Sequence, residues 1–165
     1  MIFVTTSTIL LTSCSFGGDR VFVSSEEKLA DARIKQILSA IKDKDKEAMK
    51  VLFSKQAVDE IKDFDSTKDY LFDFFQGDVK SWERDKWSSG ESVQHGKKSL
   101  MISSWYTVDT DKDKYLFFVI DYTKDTITPN NEGLYTLRVI KAKDKETDSG
   151  YWQDKMIAGI YEPEE

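Results

Sequence analysis

The apolar pattern of this chain changes once, between Gly77 and Val79, from a helical repeat to a strand repeat. Before that point, apolar residues recur at intervals of three and four, which is typical of amphipathic helices. After it, apolar runs of strand length alternate with polar turn residues. Helices that come first, followed by a series of strands, are the order of an α+β domain.

The first half predicts four helices, each with a capping residue and an apolar face. Ser24 and Glu27 have the spacing of a capping box, and an amphipathic stripe follows as far as Ile41. The run 43–46 interrupts this helix and offers an Asp cap for the second, Ser54 caps the third, and Ser66 or Thr67 caps the fourth, which Gly77 ends.

The second half predicts strands joined by short turns at 88–90, 96–97, 109–113 and 129–133. The candidate strands are Val79–Trp87, Glu91–His95, Ser99–Thr107, Tyr115–Tyr122, Leu134–Ala142 and Lys155–Tyr161. Sequential strands with short loops pair antiparallel. Tyr115–Tyr122 is apolar on both faces, which predicts a central strand. A sheet of this length curls, so we expect the N-terminal helices to pack in the concave side of a curved antiparallel sheet, as in a cone.

The N-terminus carries an export signal. Residues 2–11 are uncharged and apolar and are too short to span a bilayer, which is typical of the hydrophobic region of a signal peptide. Leu11-Thr12-Ser13 then precedes Cys14, and this run resembles the lipobox of bacterial lipoproteins. The resemblance implies that the Cys14 thiol receives a diacylglycerol and that cleavage follows Ser13. The alternative is a buried or incidental cysteine near the chain terminus.

The predicted body of the chain resembles a known superfamily. Short helices followed by a curved antiparallel sheet are similar to the nuclear-transport-factor-2-like (cystatin-like) fold. The lipobox, the helix Leu71–Phe75 leading into Val79–Glu83, and the closing Ile157–Tyr161 more narrowly resemble an uncharacterised family of Gram-positive lipoproteins, whose domain has no known function. The resemblance implies a signal peptide at 1–13, a tether at 14–24 and one domain at 25–163. It also implies a location on the outer face of the cytoplasmic membrane.

Composition removes several classes of function. The 165 residues include 24 Lys and Arg against 30 Asp and Glu, a net charge of −6 without a strongly basic block, so no nucleic-acid partner is expected. One Cys and one His exclude a disulfide framework within the chain, a Cys-based zinc site and a multi-His metal centre, so no metal or cofactor is expected. Asp109, Asp111 and Asp113 have the spacing of a calcium loop, but Lys114 and Ile120 stand where that loop needs Gly and an acid. A solvated hairpin tip is expected there.

A small set of residues could form a pocket. Superfamily relatives often enclose one between sheet and helices, and some use an Asp there as a proton-transfer base, sometimes with a Tyr donor. The matching residues are Asp121 with Tyr106 and Tyr135, and Arg138 is a mid-strand cation able to hold an anion or pair with an acid. No catalytic residue is assigned. His95, beside Gly96, is expected in a turn, and the tryptophans and phenylalanines are expected mostly in the core rather than around a ligand.

Three functions fit these observations. The first is a lipid-anchored binding or interaction module, whose partners are the membrane, through its anchor, and an unknown small ligand or envelope protein. The second is a small isomerase or cyclase that uses Asp121 as general base. The third is an accessory subunit or an immunity-type partner protein, which would bury a surface patch against another chain.

Overall fold

The structure is a computed structural model that describes residues 24–146 and 157–161. Within those residues, four helices precede five strands, so the α+β order predicted from the sequence is confirmed. The helices are α1 (Ser25–Lys42), α2 (Lys46–Leu52), α3 (Lys55–Glu60) and α4 (Phe64–Phe74), and the strands are β1 (Val79–Gln94), β2 (Lys97–Thr110), β3 (Lys114–Asp125), β4 (Gly133–Lys141) and β5 (Gly159–Tyr161).

Side-chain caps set where the helices begin. The capping box is present at α1, where the Glu27 amide donates to Ser24 Oγ at 3.1 Å and the Ser24 amide donates to Glu27 Oε2 at 2.7 Å. Asp45 and Ser54 cap α2 and α3, as their positions predict.

The expected cap of α4 was wrong. Asp63 caps it, because the Asp63 carboxylate accepts from the Ser66 amide at 3.0 Å. The Thr67 hydroxyl instead donates to the Phe64 carbonyl at 2.9 Å. The earlier start places Phe64 in the core, where its ring packs edge-on against Phe53 at 4.9 Å between centroids.

The five strands form one curved sheet in sequence order. The pairs β1–β2, β2–β3 and β3–β4 are antiparallel, but β5 runs parallel to β4, so the expectation that every sequential pair is antiparallel was wrong there. Of the expected last strand, Lys155 and Met156 lie outside the described residues.

The expected turn at Ser88–Gly90 was also wrong. These residues continue β1, with Ser88 opposite Ser103 and Gly90 opposite Met101. The chain reverses at His95 and Gly96, where a turn was also expected, and their φ angles of +47° and +78° suit a two-residue hairpin turn.

The core has two sides because β3 is buried on both faces. Side chains of alternate residues point to opposite faces of a strand. Tyr115, Phe117 and Val119 therefore pack with the helices, whereas Leu116 and Phe118 join a second cluster on the other face. The prediction that this strand is central is confirmed.

We expect Gly133→Ala to lower the free energy of unfolding by about 2 kcal/mol or more. Gly133 has a φ of +124°, and a Cβ there would lie 2.9 Å from the Ser54 amide nitrogen. That amide donates to the Leu134 carbonyl at 2.8 Å, which joins the α2–α3 turn to β4. Urea denaturation followed by circular dichroism measures the change.

Gly90→Ala is the matched control, because a Cβ at Gly90 meets nothing within 4 Å. Its effect is expected to stay within about 0.5 kcal/mol. Equal stabilities of the two variants would contradict the close approach of β4 to the α2–α3 turn.

Candidate functional site

The helix α1 covers the concave face of the sheet where two of the predicted pocket residues, Tyr106 and Asp121, lie. Its buried residues are apolar and consist of Ala30, Ile34, Ile37, Leu38, Ala40 and Ile41. At 3.6 residues per turn, Glu27 and Asp31 fall on one flank of this buried face and Arg33 on the other. Each flank contacts a different part of the sheet.

On the first flank, Arg84 of β1 joins α1 to the sheet. Its guanidinium lies 2.8 Å from Glu27 Oε1 and also pairs with Asp31. The fully buried Tyr106 of β2 donates its hydroxyl to Asp31 Oδ1 at 3.4 Å. Burial raises the pKa of Tyr106 to about 12, and the neighbouring Asp31 charge also raises it. The phenol is therefore neutral across the physiological range and is already engaged.

On the other flank, Arg33 holds Asp121 of β3. The Arg33 Nε donates to Asp121 Oδ2 at 2.9 Å, and the Asp121 side chain is only 4% exposed. Its second oxygen, Oδ1, is buried and has no hydrogen-bond partner among the described residues. Burial raises the pKa of Asp121 and Glu132 adds to the rise, while Arg33 opposes it. The carboxyl group is thus half-satisfied and less acidic than an ordinary aspartate.

Asp121 and Tyr106 share a face of the sheet but do not meet. Tyr106 stands opposite Phe117 and Asp121 opposite Ile102, four residues apart on each strand. At about 3.3 Å per residue the two positions are separated by roughly 13 Å. The buried Val119 lies between them on β3. Each polar group is held by its own partner on α1.

Tyr135 and Arg138 lie elsewhere. Tyr135 donates its hydroxyl to Glu60 Oε2 of α3 at 2.6 Å, and this hydrogen bond is the main cause that raises its pKa to about 12. Arg138 is fully buried and stands opposite Phe118, on the face of β4 that points away from the helices. Its guanidinium lies over the Tyr161 ring, 4.0 Å from the centroid. The structure therefore does not bring Arg138 to the side that carries Asp121.

The other residues singled out from the sequence lie in a turn, in packing contacts or outside the described residues. His95 is exposed in the β1–β2 turn. Trp105 is buried beneath the Lys86 ammonium, and Trp82 packs edge-on against Tyr106. Cys14 and Trp152 lie outside the described residues.

The aspartates of the β2–β3 turn each have a partner. Asp109 pairs with Lys114 at 3.0 Å and Asp113 with Lys141 at 2.8 Å. Asp111 accepts from the Asp78 amide at 2.8 Å, which ties the turn to the start of β1. Across residues 24–146 and 157–161, no cluster of three or more His, Cys, Asp or Glu residues has the arrangement of a metal site.

A groove that the sequence did not indicate lies where α1 and α4 end beside the β2–β3 turn. Its volume is about 570 Å³, and buried Ile41, Phe72 and Phe75 lie at its base. Its other lining residues include Lys42, Lys44, Lys112, Asp78 and Asp111. A volume between about 300 and 1,000 Å³ is usual for a small-molecule site. The lining residues are dispersed along the chain, so no local motif marks the groove.

The described part of the chain contains no helix with both the length and the apolarity needed to cross a membrane. A comparison with protein-family models matches residues 36–142 to the domain of unknown function DUF5104. The match begins inside α1 and extends just beyond β4, which is well over half of the chain. A search of curated proteins found no match.

We expect Asp121→Asn to gain stability relative to the wild type as the pH rises from the ordinary aspartate value of 3.8 through the higher pKa of the folded state. A raised pKa means that the folded state prefers the protonated acid, so its contribution is present at low pH and is lost as the carboxyl ionises. A tenfold difference in acidity between the folded and unfolded states corresponds to about 1.4 kcal/mol. Urea unfolding of both proteins at several pH values between about 3 and 8 measures the difference.

Asp113→Asn provides a control of opposite sign. Lys141 holds the pKa of Asp113 below its usual range, so the wild type should gain on this variant as the pH rises and lose as the pH falls through the folded pKa. Parallel pH profiles for the wild type and Asp121→Asn would show that burial does not perturb Asp121.

Proposed function

The chain belongs to the DUF5104 family of domains of unknown function, and on this premise we propose that it is a lipid-anchored, non-catalytic binding module on the outer face of the cytoplasmic membrane. Its partners in this proposal are the membrane, through the anchor, and a small ligand or an envelope protein.

The sequence Leu11-Thr12-Ser13-Cys14 supports the anchor. In this proposal residues 1–13 are removed as a signal peptide and residues 14–24 tether the domain. Acyl chains contribute about 0.8 kcal/mol per buried methylene, so the two or three chains of a lipoprotein hold it far more firmly than one. The capping box at Ser24, where α1 begins, agrees with a folded domain that starts directly after the tether.

One observation favours binding over catalysis: the candidate acid–base groups of the sheet are each engaged by a helix. Tyr106 donates to Asp31, Asp121 pairs with Arg33, and Tyr135 donates to Glu60. A general acid or base needs hydrogen-bond reach to a reacting group. The isoleucines of α1 fill the concave face beside Tyr106 and Asp121 instead.

We expect Cys14→Ala to release the protein from the membrane fraction and to abolish its labelling by an alkyne-bearing fatty acid. The thiol is the group that forms the thioether to the diacylglycerol, and alanine lacks it. Cell fractionation, with mass spectrometry of the N-terminal peptide, measures both effects in a bacterial host that processes lipoproteins.

Ser13→Ala is the matched control, because it keeps a small residue before the cysteine and should stay membrane-bound and labelled. Unchanged membrane retention of Cys14→Ala would refute the lipid anchor.

A second function, a small isomerase or cyclase with Asp121 as general base, is favoured by its Oδ1 atom, which has no hydrogen-bond partner among the described residues, and by the raised pKa of this carboxyl. The two functions differ in whether solvent can reach the Asp121 carboxyl group. Under the binding proposal, a water-soluble carbodiimide with an added amine should modify the exposed Asp73 and Asp85 and leave Asp121 unmodified. Peptide mass spectrometry of the native protein measures each site.

Unfolded protein, in which all three carboxyls should react, is the control for reagent and detection. Modification of native Asp121 at a rate comparable to that of Asp73 would show an open path to this carboxyl and would favour the enzyme.

A further inference from the structure

We propose that the groove at the ends of α1 and α4 binds a small diffusible anion with an apolar body, such as an aromatic or aliphatic carboxylate, sulfonate or phosphate. The inference rests on the proposed binding function and names the class of ligand and its site.

The base of the groove suits an apolar body. Ile41, Phe72 and Phe75 are each only 6–7% exposed, so the rings present a small, packed apolar surface at the base. Phe75 is held from behind by Tyr115, at 4.5 Å between ring centroids, and by Phe117 at 5.8 Å. A rigid apolar surface with a few polar groups around it is the usual form of a small-molecule site.

The charges around the groove favour an anion. Lys42, Lys44 and Lys112 line it, and none of them forms an ion pair within the part of the chain that the structure describes. Two acidic residues, Asp78 and Asp111, also line the groove, and Asp111 Oδ1 accepts a hydrogen bond from the Asp78 amide. The side chains that line the groove thus carry three positive and two negative charges, and this excess also has to offset the partly negative C-terminal ends of α1 and α4.

Lys44 occupies a costly backbone position. Its φ of +51° lies in the left-handed region, just beyond the end of α1, where glycine is the residue with the lowest cost. Lys44 thus lines the groove at some expense in backbone energy.

The walls of the groove are fixed by hydrogen bonds. The Asp111 amide donates to the Asp78 carbonyl at 3.1 Å, in addition to the bond that Asp111 Oδ1 accepts. The Thr110 hydroxyl donates to the Gln76 carbonyl at 3.0 Å, and the Gln76 amide donates to the Tyr115 hydroxyl at 2.9 Å. Because these bonds hold the β2–β3 turn against the end of α4, organising the site costs little free energy when a ligand binds.

The groove and the attachment point of the proposed tether lie at opposite ends of α1, and we assign the groove to a diffusible anion rather than to a lipid headgroup of the anchoring membrane. The proposed tether joins the chain at the N-terminal end of α1, whereas the groove lies beside its C-terminal end. The helix has 18 residues. At 1.5 Å per residue it separates the two by about 27 Å.

The probe is 8-anilinonaphthalene-1-sulfonate, an aromatic anion, compared with the neutral N-phenyl-1-naphthylamine. Both are titrated by fluorescence into the full-length chain carrying Cys14→Ala, which cannot be lipidated. Lys112→Gln should weaken binding of the anion about fivefold, and Asp78→Asn should tighten it about threefold, as expected for single charges at a partly exposed site. Binding of the neutral probe should change in neither variant, because only the charge is altered.

Lys97→Gln is the control. Lys97 is an exposed lysine at the start of β2, and its replacement should leave the affinities for the anionic and the neutral probe unchanged. Circular dichroism verifies that each variant is folded. An affinity for the anion that responds to neither Lys112→Gln nor Asp78→Asn would overturn the inference.

A vesicle experiment separates the diffusible anion from a lipid headgroup. Co-sedimentation with phosphatidylglycerol vesicles should be the same for Lys112→Gln and its parent. Dependence of vesicle binding on Lys112, without dependence of the soluble probe, would make the groove a membrane contact and would refute the proposal. Neither titration requires lipidation. The titrations can therefore refute anion binding in the groove without bearing on the lipid anchor, and the Cys14→Ala experiment in cells can refute the anchor without bearing on the groove.

Discussion

The rest of the structure depends on the docking of α1 against the concave face of the sheet. Its buried stripe includes Ile34, Ile37, Leu38 and Ile41, each at most 7% exposed. Burial of such a side chain contributes about 1.5–3 kcal/mol. The ion pairs of Arg84 with Glu27 and Asp31 are 17–26% exposed, and pairs near the surface are worth about 0–1 kcal/mol. The stripe therefore supplies most of the energy of docking.

This arrangement divides the domain into a filled face and an open end. Across the concave face, Tyr106 and Asp121 are engaged by α1 itself. Beside the C-terminal end of α1 lies the groove, whose lysines have no carboxylate partner among the described residues. Binding at the open end leaves the packing of α1 undisturbed, whereas binding at Asp121 would require α1 to give way. The packing of α1 and the position of the groove thus both favour ligand binding at the C-terminal end of α1.

With the exception of the α4 cap, the sequence predicted what local chemistry decides, and it did not predict what distant contacts decide. The capping box at Ser24, the caps at Asp45 and Ser54, and the central position of β3 all follow from residues close together in the chain. The continuity of β1 does not follow from nearby residues. Ser88–Gly90 has the composition of a turn, and it continues the strand because β2 pairs with it. The parallel pairing of β5 and the groove likewise depend on segments that are distant in sequence.

The face of a side chain is also hard to predict where strands bulge. The register shifts between Ile120 and Asp121 where β3 pairs with β4, because β4 has the additional residue Tyr135 at this point. Alternation along β3 is unbroken, so Asp121 lies with Val119 on the helix side. Along β4 the alternation is broken, so Leu134 and Leu137 both face the helices and Arg138 lies on the other face. The sequence offers both as candidates for one pocket, because a strand sequence alone does not reveal a bulge.

The ion pairs beside α1 fix its orientation, although each contributes little free energy. An apolar stripe alone tolerates rotation or sliding of a helix, because hydrophobic burial is non-directional. Arg33–Asp121 on one flank and Arg84–Glu27 on the other each allow one orientation of α1, and any rotation breaks a pair on one side. An unpaired buried polar atom costs about 1–3 kcal/mol, and Asp121 Oδ1 has no hydrogen-bond partner within the part of the chain that the structure describes. We infer that the carboxylate stabilises the register of α1 rather than adding to the total stability, because an apolar residue of similar size there would remove that cost together with the orientation.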